Sequence, residues 1–368
     1  MEKKCTQCQV TKSVTDFNKK STSRDGYDTH CKLCLRARDF EFRSTLNGFF
    51  KKLIQSAKQR IKKKNLKDYN NFEITITKEE LLEIFNTQDG LCFYSELKMN
   101  HVPFTNYMMS IERINSNLGY IKDNIALCCA EFNSSCQWTH EKIKEMLEIL
   151  AQNITKNEID FYEKKFHKQA EPKIIKEIDG IEHAKCNICQ LFKDHEKEFR
   201  STNFGKYKKR SGICKTCSNF KKREDKKLPI VHMKRLIYGA QSSTKIRKKA
   251  NPKQERSNEF DIDFEFLINL FNEQNGLCAY SNLPLKFGYY KETNWITSLE
   301  RIDSLKGYLK DNIVLVCFEF NTPDFTCQAA DPDKVQGSSA WSKEKFKYVY
   351  DHLILNNQMS NLKINLTS

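Results

Sequence analysis

Residues 298–317 read SLERIDSLKGYLKDNIVLVC, and residues 110–129 read SIERINSNLGYIKDNIALCC. Thirteen of the twenty positions are identical, with no gap. Alternation in MSIERI and TSLERI marks a strand, SNLGY and SLKGY mark Gly-containing loops, and NIALCC and NIVLVC mark a second apolar strand or a strand-to-helix entry. A strand–loop–strand block thus occurs twice, carrying the same Glu-Arg, Gly-Tyr and Asp-Asn pairs each time.

The duplication runs outward from this block in conserved order. Upstream, QDGLCFYSELKM (88–99) answers to QNGLCAYSNLPL (274–285), FEITI (72–76) to FDIDF (260–264), and SAKQRIKKKN (56–65) loosely to SSTKIRKKAN (242–251). Downstream, WTHEKIKEMLEIL (138–150) answers to WSKEKFKYVYDHL (341–353). The period of about 180–190 residues is too long for a solenoid repeat. Each copy reads as a cysteine-rich head and a mixed body. The boundaries fall at 1–38 and 39–165 for the first copy and at 181–222 and 223–368 for the second. The seam carries Pro172 and Gly180. The expected class is α+β. Basic helical segments follow each head, at about 36–64 and 219–249. Thr77 with Glu80 forms a capping box opening a helix over 78–87, and Asp263 caps its counterpart over 264–273. Thr139 and Ser342 cap the last helix of each copy, and 322–339 is a surface-loop insertion.

Fifteen cysteines in a chain whose start, MEKKCTQCQV, has no apolar signal core argue against a disulfide framework and for metal. Two CxxC pairs, Cys5/Cys8 and Cys31/Cys34, bracket 22 residues, and Cys186/Cys189 and Cys214/Cys217 bracket 24. Two facing knuckles supply four thiolates, which suits one structural zinc per head. A redox role needs only one such pair. Cys92 and Cys278 open CFYS and CAYS, with Ser95 and Ser281 where a second ligand would stand. Cys128, Cys129 and Cys317 have no CxxC of their own, so these thiols read as small buried hydrophobes. Cys136 and Cys327 receive no role.

The net charge is +15, and it is clustered. Lys51, Lys52, Lys58, Arg60, Lys62, Lys63 and Lys64 crowd one segment, and Arg247, Lys248 and Lys249 mark its partner. Such segments contact phosphates with salt-sensitive, largely non-specific affinity, or else form solvated helix faces. No apolar run approaches a membrane span, and the expected setting is intracellular, in cytoplasm or nucleus.

The pattern GLCAYSNLPL…W…SLERIDSLKGYLKDNIVLVCFEFN resembles HNH-type nucleases of the ββα-metal (His-Me finger) class, especially phage and large-virus forms. The resemblance covers most of each copy and implies two strands and a helix gripping one Mg²⁺ or Mn²⁺ per body. It places the metal-side acid on Glu112 and Glu300, the central Asn on Asn124 and Asn312, and the last ligand on Asn133 and Asn321. A carboxylate and an amide oxygen are hard ligands suited to such an ion. The family's catalytic histidine falls on Arg113 and Arg301. Arginine cannot serve as a general base, though it can clamp a phosphate. Tyr120 and Tyr308 are the repeated alternatives for activating water. The resemblance implies a DNA endonuclease acting on duplex DNA, and the duplication suits a monomer with two pseudo-symmetric modules, able to cut both strands without a dimer. A retired nuclease scaffold that binds or regulates DNA is the first alternative, and an RNA-binding protein the second.

Overall fold

The computed structural model describes residues 1–68, 72–133, 138–161, 173–204, 207–225, 227–250, 258–289, 292–322 and 340–367. Cys136, Cys327 and most of the 322–339 insertion lie outside these residues, and so does the side chain of Lys64. The first head pairs β1 (Glu2–Lys4) with β2 (Thr11–Ser13) and β3 (Phe17–Lys19) with β4 (Tyr27–Cys31), then runs into α1 (Lys32–Arg43). Its core is Cys5, Phe17 and Cys31, with Tyr27 and Cys34 packed against them. One phenylalanine is too little apolar area to hold so short a segment, and small domains of this kind draw stability from a metal.

In the first body the basic segment divides in two. Ser44 and Thr45 return their hydroxyls to the carbonyls of Phe40 and Phe42, and the Thr45 oxygen accepts from the N–H of Gly48. That cap starts α2 (Leu46–Asp68). The Thr77–Glu80 capping box is present and opens α3 (Lys78–Thr87), as the sequence predicts. The duplicated block forms an antiparallel hairpin of β5 (Met109–Arg113) and β6 (Ile125–Cys129), in register from Met109↔Cys129 to Arg113↔Ile125. A single 3₁₀ turn, Ala130–Phe132, follows, and α4 (His140–Ala151) opens on the Thr139 cap.

The second copy repeats this order with a larger head. It has a three-stranded sheet of β7 (Ile175–Ile178), β8 (Ile181–Lys185) and β9 (Phe192–Asp194), and a short α5 (His195–Glu198). A hairpin of β10 (Phe199–Phe204) and β11 (Tyr207–Cys214) leads into α6 (Lys215–Asp225). The body holds α7 (Pro229–Ala250), α8 (Phe264–Glu273) on its Asp263 cap, the hairpin β12 (Thr297–Arg301) with β13 (Ile313–Cys317), and α9 (Lys343–Thr367) on its Ser342 cap. The class is α+β. No described helix is long and apolar enough to cross a membrane.

Packing does not follow the sequence repeat. One unit comprises Met1–Glu145 with Thr322–Ser368, and the other comprises Met146–Asn321. Within the first unit, Trp341 at the foot of α9 stacks edge-on to Phe132 and gives its indole N–H to the Glu131 carbonyl. Lys345 of α9 donates to the buried Glu131 carboxylate at 2.7 Å. Within the second unit, the tail beyond α4 is held by the second body. Asn157 donates to the carbonyls of Asn275, Gly276 and Leu285, and Phe161 packs on Phe271 and Phe287. Each unit is therefore closed by a segment belonging, in sequence, to the other copy.

Candidate metal centres and the duplicated hairpin

The eight head cysteines come together as two groups of four, Cys5, Cys8, Cys31 and Cys34, and Cys186, Cys189, Cys214 and Cys217. In each group the sulfur atoms all lie within 4.8 Å of one another, and Cys5 Sγ to Cys34 Sγ is 3.8 Å. A Zn–S bond of about 2.3 Å puts tetrahedral sulfurs about 3.8 Å apart, so the set fits zinc. Two facing knuckles are expected from the sequence; the structure has one. Cys5 and Cys8 sit in a tight turn, whereas Cys31 is the N-cap of α1 and Cys34 lies in its first turn. Thiolates at a helix N-terminus gain from its dipole. Burial opposes ionisation of Cys5 and Cys186, but backbone N–H groups outweigh it and bring their pKa values to about 5 and about 6. Each cluster also has a lysine four residues past its knuckle. Lys12 Nζ lies 3.5 Å from Cys31 Sγ, and the Cys214 charge raises the pKa of Lys193. These two lysines escaped sequence reading; their equal spacing in both copies was the available signal.

In the hairpin loop, most of the repeated polar residues turn out to brace the backbone. Arg113 Nη1 donates to the carbonyls of Ser116 at 2.9 Å and Leu118 at 2.8 Å, and its guanidinium sits over the Tyr120 ring. Arg301 repeats this on Ser304, Lys306 and Tyr308. Asn124 is buried, accepts from Asn115 N–H, and donates to the carbonyls of Asn115 and Gly119. Asn312 does the same with Asp303 and Gly307. A Cβ on Gly119 would stand 2.0 Å from the Glu73 carbonyl oxygen, and one on Gly307 would stand 1.9 Å from that of Glu259, so only glycine fits. Tyr120 and Tyr308 are tied through backbone bridges to Ile74 and Phe260.

Two further repeated groups stand on the strand and at its end. Glu112 is half-buried in β5, and its withdrawal from water, partly offset by the Arg113 cation, raises its pKa to about 7. Glu300, its counterpart in β12, has no solvent exposure. Asn133 directs its amide nitrogen to Ser110 Oγ and the Ile111 carbonyl, at 2.7 and 2.8 Å. Asn321 repeats this on Ser298 and Leu299. In both copies the amide is thereby oriented from its nitrogen end, which sets the direction of its oxygen. Ser110 and Ser298 were missed as the residues that set this orientation. The asparagine follows a 3₁₀ turn instead of lying within the helix the resemblance implies. Among the described residues, only the two cysteine sets bring together three or more His, Cys, Asp or Glu ligands.

The turn at Cys92 repeats the head knuckle without its metal ligands. Cys5 and Cys92 donate their N–H groups to Val10 and Leu97, and Gln9 and Glu96 donate back to Cys5 and Cys92 at left-handed φ values of 61° and 55°. Cys31 N–H meets Cys5 Sγ at 3.2 Å, and Cys129 N–H meets Cys92 Sγ at 3.3 Å. Where the head has Cys8 and Cys34, this turn has the buried Ser95 and Phe132. Cys278, Ser281, Cys317 and Phe320 repeat the substitution in the second body.

Of the basic residues, Arg60, Lys62 and Lys63 are exposed on α2, as are Lys248 and Lys249 on α7. Arg247 is half-buried and lies over the Tyr308 ring at 5.2 Å, so it joins Arg301 at that loop. Burial, and then the neighbouring Arg247 cation, lower the pKa of Arg301.

No protein-family model matches the chain, and no solved structure matches it. A stretch of 75 residues is 35% identical to an uncharacterized 29.0 kDa protein in the dda-modA intergenic region of Enterobacteria phage T4. The match spans 20% of this chain and 28% of that protein's length.

Proposed function

We propose that the chain is a metal-dependent, HNH-like endonuclease acting on duplex DNA, its hairpin bodies bearing the sites and its heads folded around zinc. One observation carries the reading. In both hairpins the Gly, Arg and central Asn brace the loop, whereas the strand beside it carries a carboxylate drawn out of water, half-buried at Glu112 and fully buried at Glu300, where charge brings a desolvation penalty. A cation beside that carboxylate offsets the penalty. Glu112 with Asn133, and Glu300 with Asn321, would hold Mg²⁺ or Mn²⁺. When bound, such an ion polarises the phosphodiester and stabilises the leaving oxygen. Arg113 and Arg301 position the loop that carries Tyr120 and Tyr308, which remain the repeated candidates for moving a proton. The exposed Arg60, Lys62 and Lys63, with Lys248 and Lys249, supply phosphate contacts, and the net charge of +15 agrees with a polyanionic partner. The phage relative is compatible with a viral setting.

The second reading is a DNA-binding protein on a retired nuclease scaffold. It is favoured by the engagement of Arg113 and Arg301 on loop carbonyls, at the positions where the family has a base. Plasmid nicking separates the two. The wild-type chain should nick supercoiled DNA only with Mg²⁺ or Mn²⁺, and Glu112→Gln/Glu300→Gln should abolish nicking while retaining binding. DNA binding without any metal-dependent nicking would leave the second reading.

A further inference from the structure

The first body contains a cleft of about 390 Å³ between α2 and the hairpin, reaching Ser110 and Asn133. This is within the range of small-ligand pockets, roughly 300–1,000 Å³. It is matched to a nucleoside in scale and far too small for a base pair with two backbones. Its walls are apolar and partly aromatic, with Phe49, Phe104 and Tyr120 among them, and Arg43, Lys52 and Arg60 stand along it.

Two features show that this mouth is built. Phe104 sits in the left-handed region at φ 65°, a costly conformation for a bulky side chain, with Arg43 over its ring at 5.7 Å. The loop is fixed by Tyr107, also left-handed at φ 57°, whose N–H donates to the Glu131 carboxylate, and by Thr105 on the Val102 carbonyl. Lys52, Ser56 and Arg60 recur at every fourth residue of α2 on the cleft side, spanning about 12 Å of helix. From the two ends of that span the long Lys52 and Arg60 side chains can converge on the phosphates on either side of one extruded nucleotide. In α7 the corresponding residues are Tyr238 and Ile246, so the cationic line belongs to the first copy alone.

We propose that this cleft takes a single unpaired nucleobase, stacked at Phe104, with its flanking phosphates on Lys52 and Arg60. Aromatic stacking beside a cationic track is how proteins hold single-stranded bases, and an already unpaired base is the least costly to extrude. The inference rests on the DNA-directed reading above and narrows its substrate to duplexes with an unpaired nucleotide.

The test uses the full chain carrying Glu112→Gln and Glu300→Gln, so that binding is read without cleavage. Two DNA duplexes are compared, one fully paired and one with a single bulged 2-aminopurine. The bulged duplex should bind about tenfold tighter, with quenched 2-aminopurine emission. Phe104→Ala should bring the ratio of affinities toward one. Arg43→Ala serves as a second variant that leaves the strained backbone intact, with zinc content and circular dichroism checking the fold of both. Equal affinity for the two duplexes, or a preference indifferent to both variants, overturns the base-pocket inference while the DNA-binding reading stands. Binding of neither duplex overturns both.

Discussion

Glu112 shows how one half-buried carboxylate becomes a measurable handle. Its pKa is about 7 in the folded chain against an ordinary value of 4.5, with burial as the main cause. Between those values the folded state keeps a proton that the unfolded state has released. Stability therefore falls as pH rises from about 4.5 to about 7, then levels off. Glu112→Gln removes this slope. Its melting temperature should match the wild type near pH about 5 and exceed it near pH about 8.5, in the absence of added divalent metal. A wild-type advantage that persists above pH about 7 would contradict burial as the cause. At this scale the sequence shows that Glu112, Arg113, Gly119 and Asn124 matter, because they recur in register. What each one does is settled by backbone groups that no residue pattern displays. The Arg113 guanidinium meets loop carbonyls, and the need for Gly119 comes from the carbonyl of Glu73, far outside the repeated block.

Among the elements, the heads should be the first to respond to metal removal. Their cores consist of cysteines plus a single buried phenylalanine, Phe17 in one and Phe199 in the other, with Ala184 added in the second. Stripping zinc with a strong chelator should unfold both heads, seen as a loss of hydrogen-exchange protection at β3, β4, β10 and β11, while α3 and α8 stay protected. The body turn at Cys92 offers the converse experiment. Its backbone already has the knuckle form, and Cys129 stands at the strand-to-helix junction as Cys31 does. Ser95→Cys with Phe132→Cys should therefore raise zinc content from two ions to three. Cobalt substitution would report the extra thiolate site, although losing the Phe132 side chain costs about 3–5 kcal/mol before the metal binds. Helix starts were legible because caps are local, as at Thr77 and Asp263. At Cys92 the spacing to Ser95 was legible as a knuckle position, but its pairing with Cys129 was not, because that rests on a main-chain N–H meeting the Cys92 sulfur.

For the molecule as a whole, the two copies readable in the sequence are not the two bodies that pack. α4 and α9 descend from one repeated segment, so their apolar faces are near equivalents, and nothing in either sequence says which hairpin receives which helix. The structure answers with Trp341 and Lys345 on Glu131 and Phe132 of the first unit. It also places Asn157 and Phe161 on the second body. A chain cut at the seam should behave accordingly. Residues 1–165 alone should expose Phe132 and Trp138, bind a hydrophobic dye and aggregate. Co-expression with residues 173–368 should recover a one-to-one complex. Two separately soluble, dye-negative halves would contradict the exchange. Trp341→Ala should destabilise the first unit by about 3–5 kcal/mol, although Trp341 belongs to the second copy.

The exchange also puts a clock on synthesis. The first hairpin leaves the ribosome early, but Trp341 and Lys345 follow it by about 200 residues, some 10–40 s at ordinary elongation rates. Throughout that interval Glu131 lacks its lysine, and Phe132 and Trp138, packed on each other, lack the second tryptophan that covers them. The nascent first copy must wait, partly open, for the last helix of its twin.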